Sequence, residues 1–469
     1  MKIILRDYQI EAVNNIRNTF QSGYKAPILC LPTGSGKTVI FCDIAEKTAS
    51  RGKRVYIIVH RKELLDQTSR HLDKIGIDHG IIAPNHAITG EKVQIASVYT
   101  MSRRLGKLPH PDFLIIDEAH HTIAKTWKNI VDYYSDSYIA GFTATPQRLD
   151  GKGLGISSGG YFDKLISGPS VRDLINTGYL SDYVAYRPPT DIDMEGIKTI
   201  AGDYDKKELS QRINKPKITG SAVQHYIDIC NGLPAIAFCT TIKHAENVSE
   251  EFNKAGVSSL SIDGKLTDDQ RRYRINALAS GQIRVLTSCE LISEGTDIPV
   301  VSVAILLRPT KSLSIHLQQL GRVLRPYPGK KHSIILDHVN NCIGQGHGFP
   351  DTEREWSLEG RKKKKKNLPE DKLDRKTCKN CYAMFPLYLN RCPQCGFEYM
   401  TKERKIEQVA GNLVEVKKTD IDNYRKIQRM EVGKAETLEE LIAIGERRGY
   451  NPQWAYIRWQ IKQGRKKYA

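Results

Sequence analysis

The chain is expected to fold as an α/β protein: two parallel-sheet domains in tandem, then a small cysteine module and a basic helical tail. Three observations carry that expectation. Short, nearly continuous apolar runs alternate with helix-periodic segments through residue 342, as parallel strands buried on both faces require. A glycine-rich string, Gly34-Ser-Gly-Lys-Thr38, stands between one such run and a helix-like stretch. Two Cys-x-x-Cys pairs follow at residues 378–395.

In chain order, the strands expected are Pro27–Leu31, Val55–Val59, Val93–Ser97, Phe113–Ile116 and Tyr138–Phe142, with helices over Val39–Ala49 and Lys62–Lys74. A second set follows at Ala235–Cys239, Ile283–Thr287, Val301–Leu307 and Ser333–Leu336, with a helix over Ala245–Ala255. Between the sets, residues 151–220 are rich in Gly, Asp and Pro and weak in periodicity. The segmentation expected is therefore 1–180, 181–343, a basic linker 344–376, a cysteine module 377–400 and a tail 401–469.

Length and composition agree with this. At 469 residues the chain exceeds the ~250–300 residues of one core, and 40% hydrophobic with 26% charged residues suits a globular protein. No apolar run reaches the ~18–20 residues of a membrane span. The apolar stretch at Met1–Leu5 is too short for a signal peptide, so a cytoplasmic location is expected. Net charge is +18, and residues 361–469 hold 27 Lys and Arg against 14 Asp and Glu. A polyanionic partner follows from that excess.

The chemistry gathers in five short motifs: Leu31-Pro-Thr-Gly-Ser-Gly-Lys-Thr38, Asp117-Glu-Ala-His120, Thr143-Ala-Thr145, Ser293-Glu-Gly-Thr-Asp297 and Gln318-Gln-Leu-Gly-Arg-Val-Leu-Arg325. Between a strand and a helix, Thr33, Gly34, Ser35 and Gly36 form a phosphate cradle whose N–H groups and helix N-terminus face the anion. Lys37 reaches the β- and γ-phosphates and Thr38 binds Mg2+. Asp117, at a strand's C-terminal end, holds the same ion, and Glu118 orients and deprotonates the attacking water. Arg322 and Arg325, three apart on one helix face, supply cations for the developing phosphate charge. They lie so far along the chain that they complete the site only when the second domain closes on the first.

With these motifs in this order, the chain resembles the superfamily 2 helicases of the DEAH-box type. It looks closest to the phage and bacterial DNA-helicase branch related to restriction-enzyme and excision-repair motors. The resemblance covers residues 1 to about 342 and implies two RecA-like domains. It implies that Arg6 and Gln9 contact adenine, and that Gly295 and Asp297 contact ATP or ribose. Gln318 would join Arg322 and Arg325, and His120, Thr143 and Thr145 would couple nucleotide state to strand binding. Arg61 and Thr100 fall where the family grips the nucleic-acid backbone. The partner implied is DNA, single-stranded or forked, with RNA as the alternative and no membrane. Three further readings stay open: a duplex-translocating motor subunit of a restriction or recombination assembly, an RNA helicase, and a clamp whose ATP site only gates binding.

Cys378, Cys381, Cys392 and Cys395 have the spacing of two knuckles closing one tetrahedral Zn2+ site, a zinc ribbon. The other six of the 10 cysteines read as small core hydrophobes in a reducing compartment. In the tail, Thr437-Leu-Glu-Glu440 is a capping-box start. Trp454, Ile457 and Ile461 are expected to form a core stripe, with basic residues facing DNA.

Overall fold

The structure is a computed structural model of the whole chain. It describes every residue except 1–3, 149–150, 188–198, 201–202, 206–207, 210–215, 290–297, 344, 361–374, 400–429, 433–434, 449–452 and 467–469. Residues 1–400 form one compact unit and 401–469 a second.

The first sheet has seven strands: β1 (Pro27–Cys30), β2 (Val55–Val59), β3 (His79–Ile82), β4 (Val93–Ser97), β5 (Phe113–Asp117), β6 (Tyr138–Thr143) and β7 (Lys164–Ser167). All neighbours pair parallel, in the order β3-β4-β2-β5-β6-β1-β7. β1, β2 and β5 are buried at every position. The reason is that apolar clusters flank the sheet on both faces, one with Ile40, Phe41 and Phe142 and the other with Trp127, Ile130 and Phe162. Helix α1 (Asp7–Gln21) precedes the sheet, and α2 (Lys37–Ala49), α3 (Lys62–Ile75), α4 (Val98–Arg104) and α5 (Lys125–Tyr133) lie in its crossovers. Helix α1 starts at Arg6 because the Gln9 side chain reaches back to accept the Arg6 N–H at 3.0 Å.

The short helix α6 (Val171–Asn176) leads to β8 (Tyr183–Tyr186), which belongs to a second, eight-stranded sheet. Its strands run β12 (Ser259–Ile262), β13 (Val285–Ser288), β11 (Ala235–Phe238), β14 (Val303–Leu306), β15 (Ser333–Asp337), β8, β17 (Ala383–Pro386) and β16 (Arg375–Thr377). The first six are parallel, and the last two join antiparallel. A separate two-residue pair, β9 (Thr199–Ile200) with β10 (Asp203–Tyr204), lies between α6 and the helices α7 (Pro216–Cys230), α8 (Ile242–Lys254), α9 (Asp268–Ala279) and α10 (Leu313–Val323).

One stretch differs from the sequence expectation. Residues 345–360, expected as linker, are packed. Phe349 is buried and stacks on Tyr183, with ring centroids 6.5 Å apart. Asp351 accepts from Arg172 Nε at 3.0 Å and Arg375 Nη2 at 3.3 Å, and from the Tyr183 hydroxyl. Leu358 crosses back to the first domain, where its carbonyl accepts from Gly155 N at 2.8 Å. Gly153 is obligatory there, since a Cβ would stand 1.8 Å from that carbonyl oxygen. The cysteine module packs on the second sheet: Ala383 and Met384 pair with Tyr186 and Ala185. Phe385 and Cys392 are buried in one cluster with Tyr186 and Leu336.

Among the described residues of 401–469, α11 (Leu438–Arg447) and α12 (Gln453–Lys466) pack through Leu441, Ile444, Ala455 and Trp454. Thr437 and Glu440 form the capping box as expected. The stripe expectation fails in part: Ile457 is 56% exposed, because Ala455 and Trp459 turn inward instead. The Ile461 side chain lies outside the described set. No helix of the described residues is long and apolar enough to cross a membrane.

Candidate active site

The glycine-rich loop follows β1, and Asp117 ends β5, with β6 between them. Both therefore stand at the C-terminal edge of one parallel sheet, where such sheets receive ligands. Gly34 and Gly36 have φ of 88° and 78°, which L side chains rarely adopt. At Gly36 a Cβ would also meet Gln9 Nε2 at 2.6 Å. The cradle is locked from behind: the Ser35 carbonyl accepts from Tyr8 OH at 2.6 Å and Gln9 Nε2 at 3.2 Å, while Ser35 Oγ donates to Pro32 O at 2.7 Å. Lys37 opens α2, and its ammonium rests on the carbonyls of Leu31 (3.1 Å) and Pro32 (3.3 Å). Thr33 and Thr38 line the same cleft, as does Arg6, whose guanidinium stands 4.7 Å over the Tyr179 ring.

Across the cleft, Glu118 sits in the left-handed region at φ 49°, and its backbone N–H donates to Asp117 Oδ1 at 3.0 Å. A strained glutamate beside the Asp117 carboxylate points to function rather than packing. His120 Nδ1 lies 3.4 Å from Glu118 Oε2 and 3.0 Å from Thr143 Oγ1. Thr143 Oγ1 donates to Thr145 O at 3.2 Å and accepts from Thr145 N at 3.1 Å. Thr145 Oγ1 then donates to Ser314 Oγ at 2.9 Å, on α10 of the second domain. One polar chain thus runs from the acids of the first domain to the helix that carries the arginines.

That helix meets the cradle directly. A Cβ at Gly321 would lie 2.3 Å from Thr33 Cβ, and one at Gly34 would lie 3.4 Å from Gly321 O and 3.5 Å from Arg325 Cγ. Arg322 is buried and Arg325 half-buried, and both line the cleft of about 900 Å3 that holds Lys37, Thr38, Asp117 and Glu118. The shared helix face is corrected in one respect: α10 stops at Val323, so Arg325 lies just beyond its end. Gln318 is buried on α10, and its Nε2 has no protein partner among the described residues. Gly295 and Asp297 lie outside the described residues.

Sequence reasoning missed several residues here. Lys330 Nζ donates to Val301 O (2.8 Å), Arg325 O (2.9 Å) and Val323 O, pinning the arginine segment. Burial, helped by the Arg325 charge, pushes this ammonium down to about 7. Tyr179 and Tyr8, 5.2 Å apart, wall the Arg6 side. Two ion pairs bridge the domains, Arg271–Glu63 at 2.9 Å and Lys62–Asp268. A lone Lys or Tyr carries no spacing signal, so only the fold reveals these. Of the two backbone-gripping candidates, Arg61 stands partly exposed at the start of α3. Thr100 is buried on α4, whose exposed residues are Tyr99 and Arg103.

The site's chemistry fits a nucleoside triphosphate with a divalent ion. It offers backbone N–H groups, one ammonium and two guanidiniums for the phosphates, and Thr38 and Asp117 as oxygen ligands. The four cysteine sulfurs lie within 4.8 Å of one another, with Cys378–Cys395 at 3.6 Å and Cys381–Cys392 at 3.7 Å. Tetrahedral Zn–S bonds of about 2.3 Å place sulfurs about 3.8 Å apart, so this set has the right size. The Phe397 backbone N–H holds the Cys395 thiol down at about 6.

Comparison with known proteins agrees. Residues 2–148 match the family described as type III restriction enzyme, res subunit, and residues 221–327 match the helicase conserved C-terminal domain. A 51.5 kDa protein of a Lactococcus phage (isolate 7-9) is 35% identical over 80% of this chain and 78% of its own length. The DNA 3′-5′ translocase XPB2 of Sulfurisphaera tokodaii is 26% identical over 72% of this chain and 82% of its own. Other relatives are longer: the chain spans 51% of one from Saccharomyces cerevisiae and 46% of one from Escherichia coli. In fold, a fragment assigned as an HsdR subunit of a type I restriction enzyme from Vibrio vulnificus YJ016 aligns with a TM-score of 0.58 and 21% identity, over 74% of this chain and 66% of that one. The chain belongs to the superfamily 2 helicases.

Proposed function

We propose that this protein is an ATP-dependent DNA helicase or translocase of the DEAH-box type, carrying a structural zinc ribbon. The observation that supports it best is the close approach of Gly321 to Thr33, which brings Arg322 and Arg325 to the phosphate cradle. Closure of the second domain then supplies the cations that phosphoryl transfer needs. Lys37 and the loop N–H groups hold the phosphates, and Thr38 and Asp117 hold Mg2+, which neutralises phosphate charge when bound. Glu118 takes the proton of the attacking water. His120, Thr143, Thr145 and Ser314 report the state of that acid to α10. Arg6, stacked on Tyr179 at 4.7 Å, and Gln9, bonded to the Ser35 carbonyl, contact the adenine in this reading.

DNA rather than RNA is favoured by the relative named as a DNA translocase and by the Leu5-Arg-Asp-Tyr-Gln9 and Thr143-Ala-Thr145 spellings. The match to the restriction-enzyme family supports a second reading, a motor that moves on duplex without parting strands. ATP hydrolysis decides between them, measured alone and with single-stranded DNA, duplex DNA or RNA, with Lys37→Ala as control. Stimulation by single-stranded DNA supports the helicase, and duplex-only stimulation the motor. RNA-only stimulation overturns the DNA assignment, and no hydrolysis at all overturns the enzyme reading.

A further inference from the structure

A second cavity, of about 450 Å3, lies far from the nucleotide cleft. It is bordered by Phe113 and Tyr138, the first residues of β5 and β6, whereas Asp117 and Thr143 end those strands. It therefore sits at the opposite edge of the first sheet. Its floor is apolar, with Ile16 and Phe20 from α1, Ile44 from α2, and Phe113. Phe20 packs edge-on to Phe113 and Tyr138 at 5.6 and 5.5 Å, so the floor is rigid aromatic surface.

The lip is cationic. Asp112 is taken by Lys53 at 3.0 Å and by Arg54 N at 2.8 Å, and Asp136 by His110 at 2.9 Å. Lys47 is held by Asp43 at 2.7 Å. Arg17 on α1 and Arg51 in the turn after α2 line the same cavity and form no ion pair among the described residues. Two guanidiniums from different elements beside an apolar floor call for an apolar group flanked by anions. The volume is within the range of small-ligand and side-chain pockets, about 300–1,000 Å3.

We propose that this cavity docks an acidic peptide segment of a partner protein, which seats an aromatic side chain against Phe20 and Ile44 and sets flanking carboxylates on Arg17 and Arg51. The occupant touches the far ends of α1 and α2, the helices whose N-terminal ends carry Gln9 and Lys37. The site has no lining residue in common with the nucleotide cleft.

The probe is a fluorescein-labelled Asp-Glu-Trp-Glu-Asp peptide titrated with the full chain and read by anisotropy. Saturable binding is expected, weakened about tenfold, or about 1.4 kcal/mol, by Arg51→Glu, which replaces a charge-assisted contact with repulsion, and as much by Thr48→Trp, which fills the cavity. An Asp-Glu-Ala-Glu-Asp peptide should bind at least about tenfold more weakly than the tryptophan peptide, because it buries no large apolar side chain. Arg51→Glu lies on the surface, so a misfolded Thr48→Trp would still leave a test. Absent saturation, equal affinity for both peptides, or insensitivity to Arg51→Glu would each overturn the proposal. So would displacement by oligothymidylate that the same variants weaken, which would make this surface a nucleic-acid contact.

Discussion

Replacing Gly321 with Ala tests whether closure of the second domain on the cradle is the step that makes the site competent. The added Cβ would stand 2.3 Å from Thr33 Cβ and 2.6 Å from Thr33 Cγ2. Carbon atoms sit best at about 3.5–4.0 Å, so the two segments must part by about an ångström or more. Overpacking of this kind costs about 1–3 kcal/mol, here charged against the closed state alone. ATP turnover at saturating DNA should fall about 5- to 150-fold. Fold stability should move the other way, because Gly inside a helix is about 1 kcal/mol worse than Ala. The assay is steady-state ATPase beside thermal unfolding, with the Gly321→Ala/Thr33→Gly pair completing the cycle. The pair should lose less than the two single losses combined, since removing Thr33's side chain relieves the clash. Wild-type turnover in Gly321→Ala, or strictly additive losses, would refute the reasoning.

Ser314→Ala removes the Thr145 contact at 2.9 Å; a net hydrogen bond of about 0.5–1.5 kcal/mol predicts a two- to twelvefold loss of DNA-stimulated turnover, with a smaller change in basal hydrolysis. His244, His316 and His338 are buried, and desolvation first of all pulls them to about 4, 3 and 3. Their folded values lie below the unfolded one, so their contribution is intact above about 6.5 and is lost as pH falls below it. At pH 5.5 each costs about 1.4 kcal/mol, and urea midpoints measured from pH 7.5 to 5 should drop accordingly. Cys378→Ser with Cys381→Ser should release one zinc per chain, read by metal analysis. Because Ala383 and Met384 pair with β8, the same change should lower the unfolding temperature of the second domain while Lys37-dependent nucleotide binding persists.

The parallel strands were legible because burial on both faces leaves little but apolar residues, as in Val55–Val59 and Phe113–Ile116. Strands such as Lys164–Ser167 and Ser259–Ile262 were not, since each sits at or near a sheet edge and mixes polar residues into a short run. The nucleotide cradle could be read from Gly34 to Thr38 because its backbone geometry demands glycine at fixed spacing. The distance between Arg325 and Gly34 could not, as it depends on how two separately folded sheets meet. Lys330 illustrates the limit most clearly: its three carbonyl acceptors come from residues 301, 323 and 325, and no local pattern announces such a convergence. Thr100 shows the converse, a position matched by motif whose side chain the helix turns inward.

The packed stretch from Phe349 to Leu358 has a mechanical consequence. The chain passes from first domain to second near Ser170, and returns where Leu358 meets Gly155. Asp351 fastens the returning segment to Arg172, at the start of α6. Two pins on a door permit swinging and forbid sliding. With the two crossings held this way, a change in angle between the sheets costs fewer contacts than a slide of one sheet past the other.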